Sequence, residues 1–334
     1  LGKNIKLVAF KRTFAPESHC YMRIFKQLSG LPPFNRAIIT IGTFDGVHAA
    51  HRQIITSINS LAQQHQGESV LITFDPHPRK VINKEQVGLL SPLNEKLGLL
   101  QHTGLQNVVV IPFTDQFAQQ TPEQYINDFL YQYFKPHYIV IGYDHRYGKN
   151  RQGDLALLQQ YSHLLHYKVA EIEQQLIDHI AISSTKIRQA LLRADLATAN
   201  TLLGYAYQLQ GTVVKGKQLG RTIGFPTANL QLNEPDKLLP AKGVYAVTAQ
   251  IDHNKPIYKA MLNIGTRPTI NPHNDNTTIE VHLLDFPPQQ EIYGQQLTLS
   301  LHEYIRPEQQ FDNLQALKTQ IEKDRLLISA MLNK

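Results

Sequence analysis

The chain has 334 residues, 42% of them hydrophobic and 18% charged, with a formal net charge of +6. This suits about two globular domains of roughly 150 residues each and excludes a disordered or fibrous chain. The longest apolar runs, such as Val108 to Ile111, fall far short of the roughly 20 residues that a membrane helix needs.

The positive charge is scattered, which suits small anionic ligands at least as well as nucleic acid. One cysteine, Cys20, and no CxxC pair exclude an internal disulfide and a cysteine zinc site; the expectation is a cytoplasmic protein that acts away from membranes. Residues 1–21 lack the layout of a signal peptide. Met22 then opens MRIFKQLSG, so Met22 is expected to be the natural start and 1–21 a non-native extension.

From about residue 36 to 182, apolar runs alternate with helical spacing. Ala37 to Ile41 reads as a buried strand, and Ile54, Ile55, Ile58, Leu61 and Ala62 mark a helix ending at Gly67. Strand SVLITF follows, then a helix near Glu95 to Gln101, strand VVVIP, helix PEQYINDFLYQYF, strand HYIVIG, helix DLALLQQYSHLLHY and strand KVAEI. Such alternation predicts a Rossmann-like α/β domain over 22–184, with a parallel sheet and ligands at the carboxyl ends of its strands.

Two helical segments, TKIRQALLRA and DLATANTLLG, form a bridge over 185–205. Beyond it, over 206–334, the period becomes two: Ile279, Val281 and Leu283 alternate, as do Leu297, Leu299 and Leu301. This predicts a small antiparallel barrel or sandwich, closed by an amphipathic helix from about Asp312 to Leu332.

Gly42-Thr43-Phe44-Asp45-Gly46-Val47-His48-Ala49-Ala50-His51 joins the first strand to its helix. Gly42 and Gly46 permit tight turns. His48 and His51, three apart, share a face if both are helical. Together with free N–H groups at a helix N-terminus they suit a nucleoside triphosphate. Ile182-Ser183-Ser184-Thr185-Lys186-Ile187-Arg188 offers hydroxyls and a cation at a second helix start.

In the second half, Gly211 to Gln218 nearly spells a P-loop, but Gln218 stands where a hydroxyl is required and no helix pattern follows. The longer run Gly216-Lys217-Gln218-Leu219-Gly220-Arg221-Thr222-Ile223-Gly224-Phe225-Pro226-Thr227-Ala228-Asn229 suits a flap over a polyphosphate followed by oxygen donors. Glu280, between Ile279 and Val281, points away from their shared face.

GTFDGVHAAH resembles the His-x-Gly-His motif of nucleotidyltransferases. With FDGVH, GFPTAN and the E-V-H pattern at Glu280, the chain resembles the bacterial bifunctional riboflavin kinase/FAD synthetases from about Met22 onward. The resemblance implies a riboflavin-kinase β-barrel with a C-terminal helix. It implies ATP, riboflavin and FMN as substrates, FAD as product and Mg²⁺ as the ion accompanying ATP. His48, His51 and Arg188 are then catalytic in adenylylation, and Gly42, Phe44, Asp45, Gly46, Ser183, Ser184 and Thr185 bind nucleotide, with Asp45 ordering its loop rather than ligating metal. Thr73-Phe74-Asp75-Pro76-His77-Pro78 and the loop Gly142 to Gly148 are similar to flavin-side segments, giving Phe74, Pro76, His77, Pro78, Asp144 and, from the other half, Arg267. In the kinase, Glu280 is the base, Thr227 and Asn229 hold metal, and Gly216, Gly220, Arg221 and Gly224 cover the nucleotide.

Ala50 departs from the family's usual glycine and His145 from its usual phenylalanine. Two other readings remain: a kinase whose adenylylation site is impaired at Ala50, and a basic, non-catalytic nucleic-acid-binding protein. Oligomeric state is left open.

Overall fold

The computed structural model describes residues 21–173, 176–177, 180–216, 220, 223–252, 256–266, 277–287 and 290–333. The first half is a six-stranded sheet with the order β1-β4-β3-β2-β5-β6, built from β1 (Arg23–Phe25), β2 (Ile38–Ile41), β3 (Ser69–Asp75), β4 (Asn107–Pro112), β5 (Tyr138–Gly142) and β6 (Lys168–Ile172). Every pairing in it is parallel. The strands are apolar at almost every position because both faces are covered. Ile39, Ile41, Val70, Ile72, Val109, Ile111, Ile139 and Ile141 enter one core. The alternate residues Ile38, Leu71, Val108, Val110 and Val140 enter the other.

Helices α1 (Ala49–Gln64) and α2 (Pro78–Ile82) follow β2 and β3, and α3 (Leu93–Gln101) precedes β4. Pro122–Gln124, the π-helical Tyr125–Tyr131 and Gln132–Phe134 run continuously before β5, and α4 (Leu155–Leu165) precedes β6. The chain leaves β2 toward β3 on one side and reaches β5 on the other. The switch point therefore lies between the carboxyl ends of β2 and β5, where such sheets open a ligand crevice.

A short ribbon, β7 (Leu176–Ile177) with β8 (Ile180–Ala181), leads to α5 (Ser184–Leu192) and α6 (Leu196–Leu203). Asp195 caps α6 and left-handed Gly204 ends it. The bridge helices pack with the second half: Ile187, Leu191, Ala199, Leu202 and Leu203 share one core with the barrel.

That barrel is closed, in the order β10-β13-β12-β11-β14-β9. Its strands are β9 (Tyr207–Val214), β10 (Ala228–Leu232), β11 (Gly243–Ile251), β12 (Ile257–Thr266), β13 (Thr277–Leu283) and β14 (Gln296–Arg306), all antiparallel. Closure leaves no free sheet edge, which resolves the choice between barrel and sandwich. The C-terminal helix α7 (Leu314–Met331) packs Ile321 and Ile328 outside the barrel, against Val244, Ala246, Met261 and Leu284.

The two halves meet at several points, among them a strand-like bridge. Leu89 bridges Lys237 as in a parallel sheet: Leu89 N–H donates to Asp236 O at 2.7 Å and Leu238 N–H to Leu89 O at 2.8 Å. Beneath it, the buried Lys237 ammonium pairs with Glu95, donates to Leu90 O at 2.7 Å and lies 4.4 Å from the Tyr207 ring centroid.

Candidate active sites

The crevice at the switch point is a cleft of about 890 Å³, lined among others by Gly42, Thr43, Phe44, His48, Ala50, His51, Phe74, His77, Pro78, Asp144, Ser183, Ser184, Thr185 and Arg188. The fold thus collects residues that are far apart in sequence. Asp45, Gly46 and Pro76 are not in the lining.

His48 stands outside α1, as its N-cap. Its Nδ1 accepts the His51 N–H at 3.3 Å, so in the neutral ring the proton sits on Nε2. The expected shared helical face becomes a stack, with ring centroids 3.5 Å apart and planes 12° from parallel. The Phe44 ring also lies close to His51, with centroids 4.8 Å apart and planes tilted by 47°. Burial lowers the His48 pKa to about 4 against the opposing charge of Asp45. Burial first, then the charges of His48 and Lys96, holds His51 well below its usual value. Both rings are therefore neutral hydrogen-bonding groups in the free protein at pH 7, not cations.

Asp45 is tied into the loop's hydrogen-bond network. It is 1% exposed and accepts the N–H groups of Leu90 at 3.1 Å and Ser91 at 2.9 Å. Arg188 pairs with the same carboxylate and donates to Gly88 O at 2.8 Å. Arg188 therefore reaches the cleft with part of its guanidinium already engaged. Ser184 Oγ donates to Asp45 O at 2.9 Å, Ser91 Oγ accepts the Gly46 N–H at 2.6 Å, and Ser183 caps α5. The segment 88–91 thus ties the histidine loop to α5, and through Leu89 to the barrel.

On the flavin side, His77 caps α2 and lines the cleft; burial lowers its pKa to about 4. Phe74 lines the cleft and is packed against Phe113 and Phe117, at centroid distances of 5.3 and 5.7 Å. Asp144 is exposed at the rim. His145 stacks on Tyr147 at 5.8 Å, and burial followed by Arg151 lowers its pKa to about 4. The Ala50 methyl lies on the cleft wall, at the position where the family usually has glycine.

The barrel builds its site from register. Asn229 on β10 is directly opposite Glu280 on β13, which is directly opposite Asn263 on β12. Directly paired residues share a face. Because Ile279, Val281, Leu262 and Ile264 fill the interior, the row Asn229–Glu280–Asn263 faces outward. A Cβ on Gly216 would collide with the Asn229 amide, and one on Gly220 would collide with Phe225 O and come within 3.3 Å of Thr227 Oγ1. Two signature glycines thus let the loop close on the two expected metal-holding residues. Gly224, at φ 88, turns the chain toward Phe225, whose ring meets His282 edge-on at 5.5 Å. Arg221 and Arg267 lie outside the described residues.

Asn263 opens the segment Asn263 to Thr269, which is similar to the family's, and register brings it into this row. One neighbour escaped the sequence reading. Lys96, 6% exposed, donates to Thr43 O at 2.8 Å under the histidine loop, and its signal was a lysine on the apolar side of a short helix.

A parallel-sheet cleft with a histidine pair at a helix start, joined to a barrel with a glycine loop over oxygen donors, defines a two-domain nucleotide-dependent transferase. The FAD synthetase family profile matches residues 32–186 and the riboflavin kinase profile residues 203–332. The bifunctional riboflavin kinase/FMN adenylyltransferase of Listeria monocytogenes is 37% identical over 289 residues, 86% of this chain and 90% of that one. That of Escherichia coli K12 is 36% identical over 295 residues, 88% and 92% of the two chains. A crystal structure from Streptococcus pneumoniae, described as a macrolide-efflux protein, has a TM-score of 0.82 at 27% identity, covering 92% of this chain and 99% of that one. No helix among the described residues here is long and apolar enough to cross a membrane. The chain belongs to the bifunctional riboflavin kinase/FMN adenylyltransferase family.

Proposed function

We propose that this chain phosphorylates riboflavin to FMN in the barrel and adenylylates FMN to FAD in the sheet cleft. One observation carries the reading: a single chain holds both constellations, a neutral histidine stack at a sheet switch point and the Asn229–Glu280–Asn263 row beneath a glycine loop.

In the barrel, the riboflavin 5′-hydroxyl oxygen attacks the γ-phosphorus of ATP and the bond to ADP breaks. Glu280 accepts the hydroxyl proton. The Thr227 hydroxyl and Asn229 amide oxygen are hard donors of the kind Mg²⁺ takes alongside phosphate oxygens, and the lack of a Cβ at Gly216 and Gly220 lets the backbone approach this segment closely. Bound there with ATP, the ion would screen phosphate charge. Gly224 turns the loop onto the nucleotide, and Arg221 and Arg267 complete the phosphate and flavin contacts.

In the cleft, an FMN phosphate oxygen attacks the α-phosphorus of ATP, and the bond to the leaving pyrophosphate breaks. No protein nucleophile is needed; the protein orients two anions and stabilises charge on the α-phosphate and leaving group. His48 donates through Nε2–H, His51 is braced by Phe44, and the start of α5 with Thr185 and Arg188 receives the outer phosphates. His77, Pro78 and Asp144 border the flavin side. The reactions use soluble substrates, for which the cytoplasm is the natural compartment.

The test is a chromatographic time course with riboflavin, ATP and Mg²⁺. FMN appearing first and FAD after it supports both assignments. FMN without FAD favours a kinase with an impaired cleft, for which Ala50 is the structural reason. Neither product from folded protein overturns the reading.

A further inference from the structure

Lys96 sits in the first turn of α3, nearly inaccessible to water. Its ammonium donates to the Thr43 carbonyl at 2.8 Å and to Thr73 Oγ1 at 3.2 Å; Thr73 Oγ1 itself donates to that carbonyl at 3.0 Å. Both acceptors are neutral. Lys237, the other buried lysine of the described residues, has the Glu95 carboxylate against it. The charges of Asp45 and Asp75 favour the Lys96 ammonium, and burial outweighs them in lowering its pKa. A buried cation without a paired carboxylate is costly to keep and marks a site that uses its charge.

What it grips is the floor of the cleft. Thr43 and Phe44 both line that cleft. A trans peptide is planar, with its C=O and N–H pointing opposite ways. With the Thr43 carbonyl drawn inward to Lys96, the Phe44 N–H is turned outward, toward the lining side. That N–H donates to no acceptor among the described residues. Phe44 holds this conformation at φ 47, unusual for an aromatic residue, and such backbone persists only where its surroundings enforce it.

We infer that Lys96 is a positioning residue for adenylyl transfer: by gripping the Thr43 carbonyl it aims the Phe44 N–H at an ATP phosphate and keeps a fixed positive charge behind the His48–His51 stack. The inference rests on reading the cleft as the adenylylation site. It also carries a pH consequence. Asp45 and Arg188 act on His48, His48 and Lys96 act on His51, and Asp45, Arg188, Lys96 and Arg79 act on His77 across the cleft. Removing the Lys96 charge removes a force against protonating His51, so the acid limb of adenylylation moves to higher pH.

The experiment compares Lys96→Met, Lys96→Arg and Thr73→Val with the parent, assaying FAD formation from FMN and ATP across pH and FMN formation from riboflavin in the same preparations. Lys96→Met is expected to lower kcat for FAD formation about 100-fold, the cost of losing one preorganised donor. KM for FMN should stay close to the parent's, the acid limb should rise and kinase turnover should be unchanged. Lys96→Arg is expected to keep the parent's acid limb and recover part of kcat. Thr73→Val, isosteric within its strand, loosens the ammonium and shifts kcat and the acid limb in the same directions, less far; it decides the matter if Lys96→Met does not fold. FAD formation within threefold of the parent in Lys96→Met, or in Thr73→Val an unmoved kcat and acid limb, overturns the inference. A parent that makes no FAD overturns the site assignment instead.

Discussion

The two sites solve a similar electrostatic problem with different materials. In the sheet domain, the polar groups of the proposed site come from loops and helix starts: a histidine N-cap, the first turn of α5 and the Thr43 carbonyl held by a buried lysine. In the barrel they come from strand register, one polar residue per strand in a row across β10, β13 and β12. The first arrangement needs a second layer to hold its loops. Asp45, Ser91 and Arg188 supply it, and the barrel braces that layer through Leu89 and Lys237. The second needs little support, because hydrogen-bonded strands fix side-chain direction on their own, and glycines suffice to bring the loop close. Adenylylation should therefore be sensitive to changes far from its substrates, and phosphorylation mainly to changes that touch them.

The largest expected effect is at the stack. His51→Asn removes an imidazole that stacks on His48 and lies close to Phe44, and should lower FAD formation about 100- to 1,000-fold, as for loss of one preorganised donor. FMN formation should be unchanged; parallel loss of both, by chromatography, would break the contrast.

Lys237→Met leaves Glu95 buried without its partner. Removing one member of such a pair costs about 3–5 kcal/mol, and burial already raises the Glu95 pKa despite Lys237. Denaturant unfolding should show that loss, with FAD formation falling more than FMN formation in protein that remains folded. Equal losses of the two activities would show that the brace does not favour the cleft.

Acid should weaken the sheet domain first. His48, His77 and His145 have pKa values lowered to about 4, mainly by burial, and His51 is lowered as well. Below the unfolded-chain value of about 6.5, the unfolded state binds protons that the native state refuses, so stability falls as pH drops from about 6.5 toward 4. A Tm that rises over that interval on acidification would contradict it.

The smallest effect is at Ala50. Replacing it with glycine removes a methyl from the cleft wall and should raise FAD formation by less than about tenfold, near the lower bound for one carbon in an apolar pocket. A fall would show that the methyl supports the start of α1 rather than crowding the nucleotide.

Much of this was legible in the residue string. Apolar runs alternating with helical spacing revealed a parallel sheet, and period-two strands revealed the second architecture, because burial on two faces and on one leave different patterns. Glycines between a strand and a helix marked the first site, and a glycine-rich run between two strands marked the second. Long-range pairing was hidden. Arg23–Phe25, for which no strand was expected, is an edge strand on β4, across more than 80 residues. Closure of the barrel and the place of Asn263 depend on register between distant strands. Lys96 carried no motif, since its meaning comes from Thr43 and Thr73, which reach it only in the folded chain.

The most direct test of two separate chemistries in one chain is Glu280→Gln, assayed for each half-reaction alone. FMN formation from riboflavin should fall about 100-fold or more, as for loss of a general base, while FAD formation from supplied FMN stays at the parent's rate. Loss of both half-reactions in folded protein, or of neither, would contradict the account.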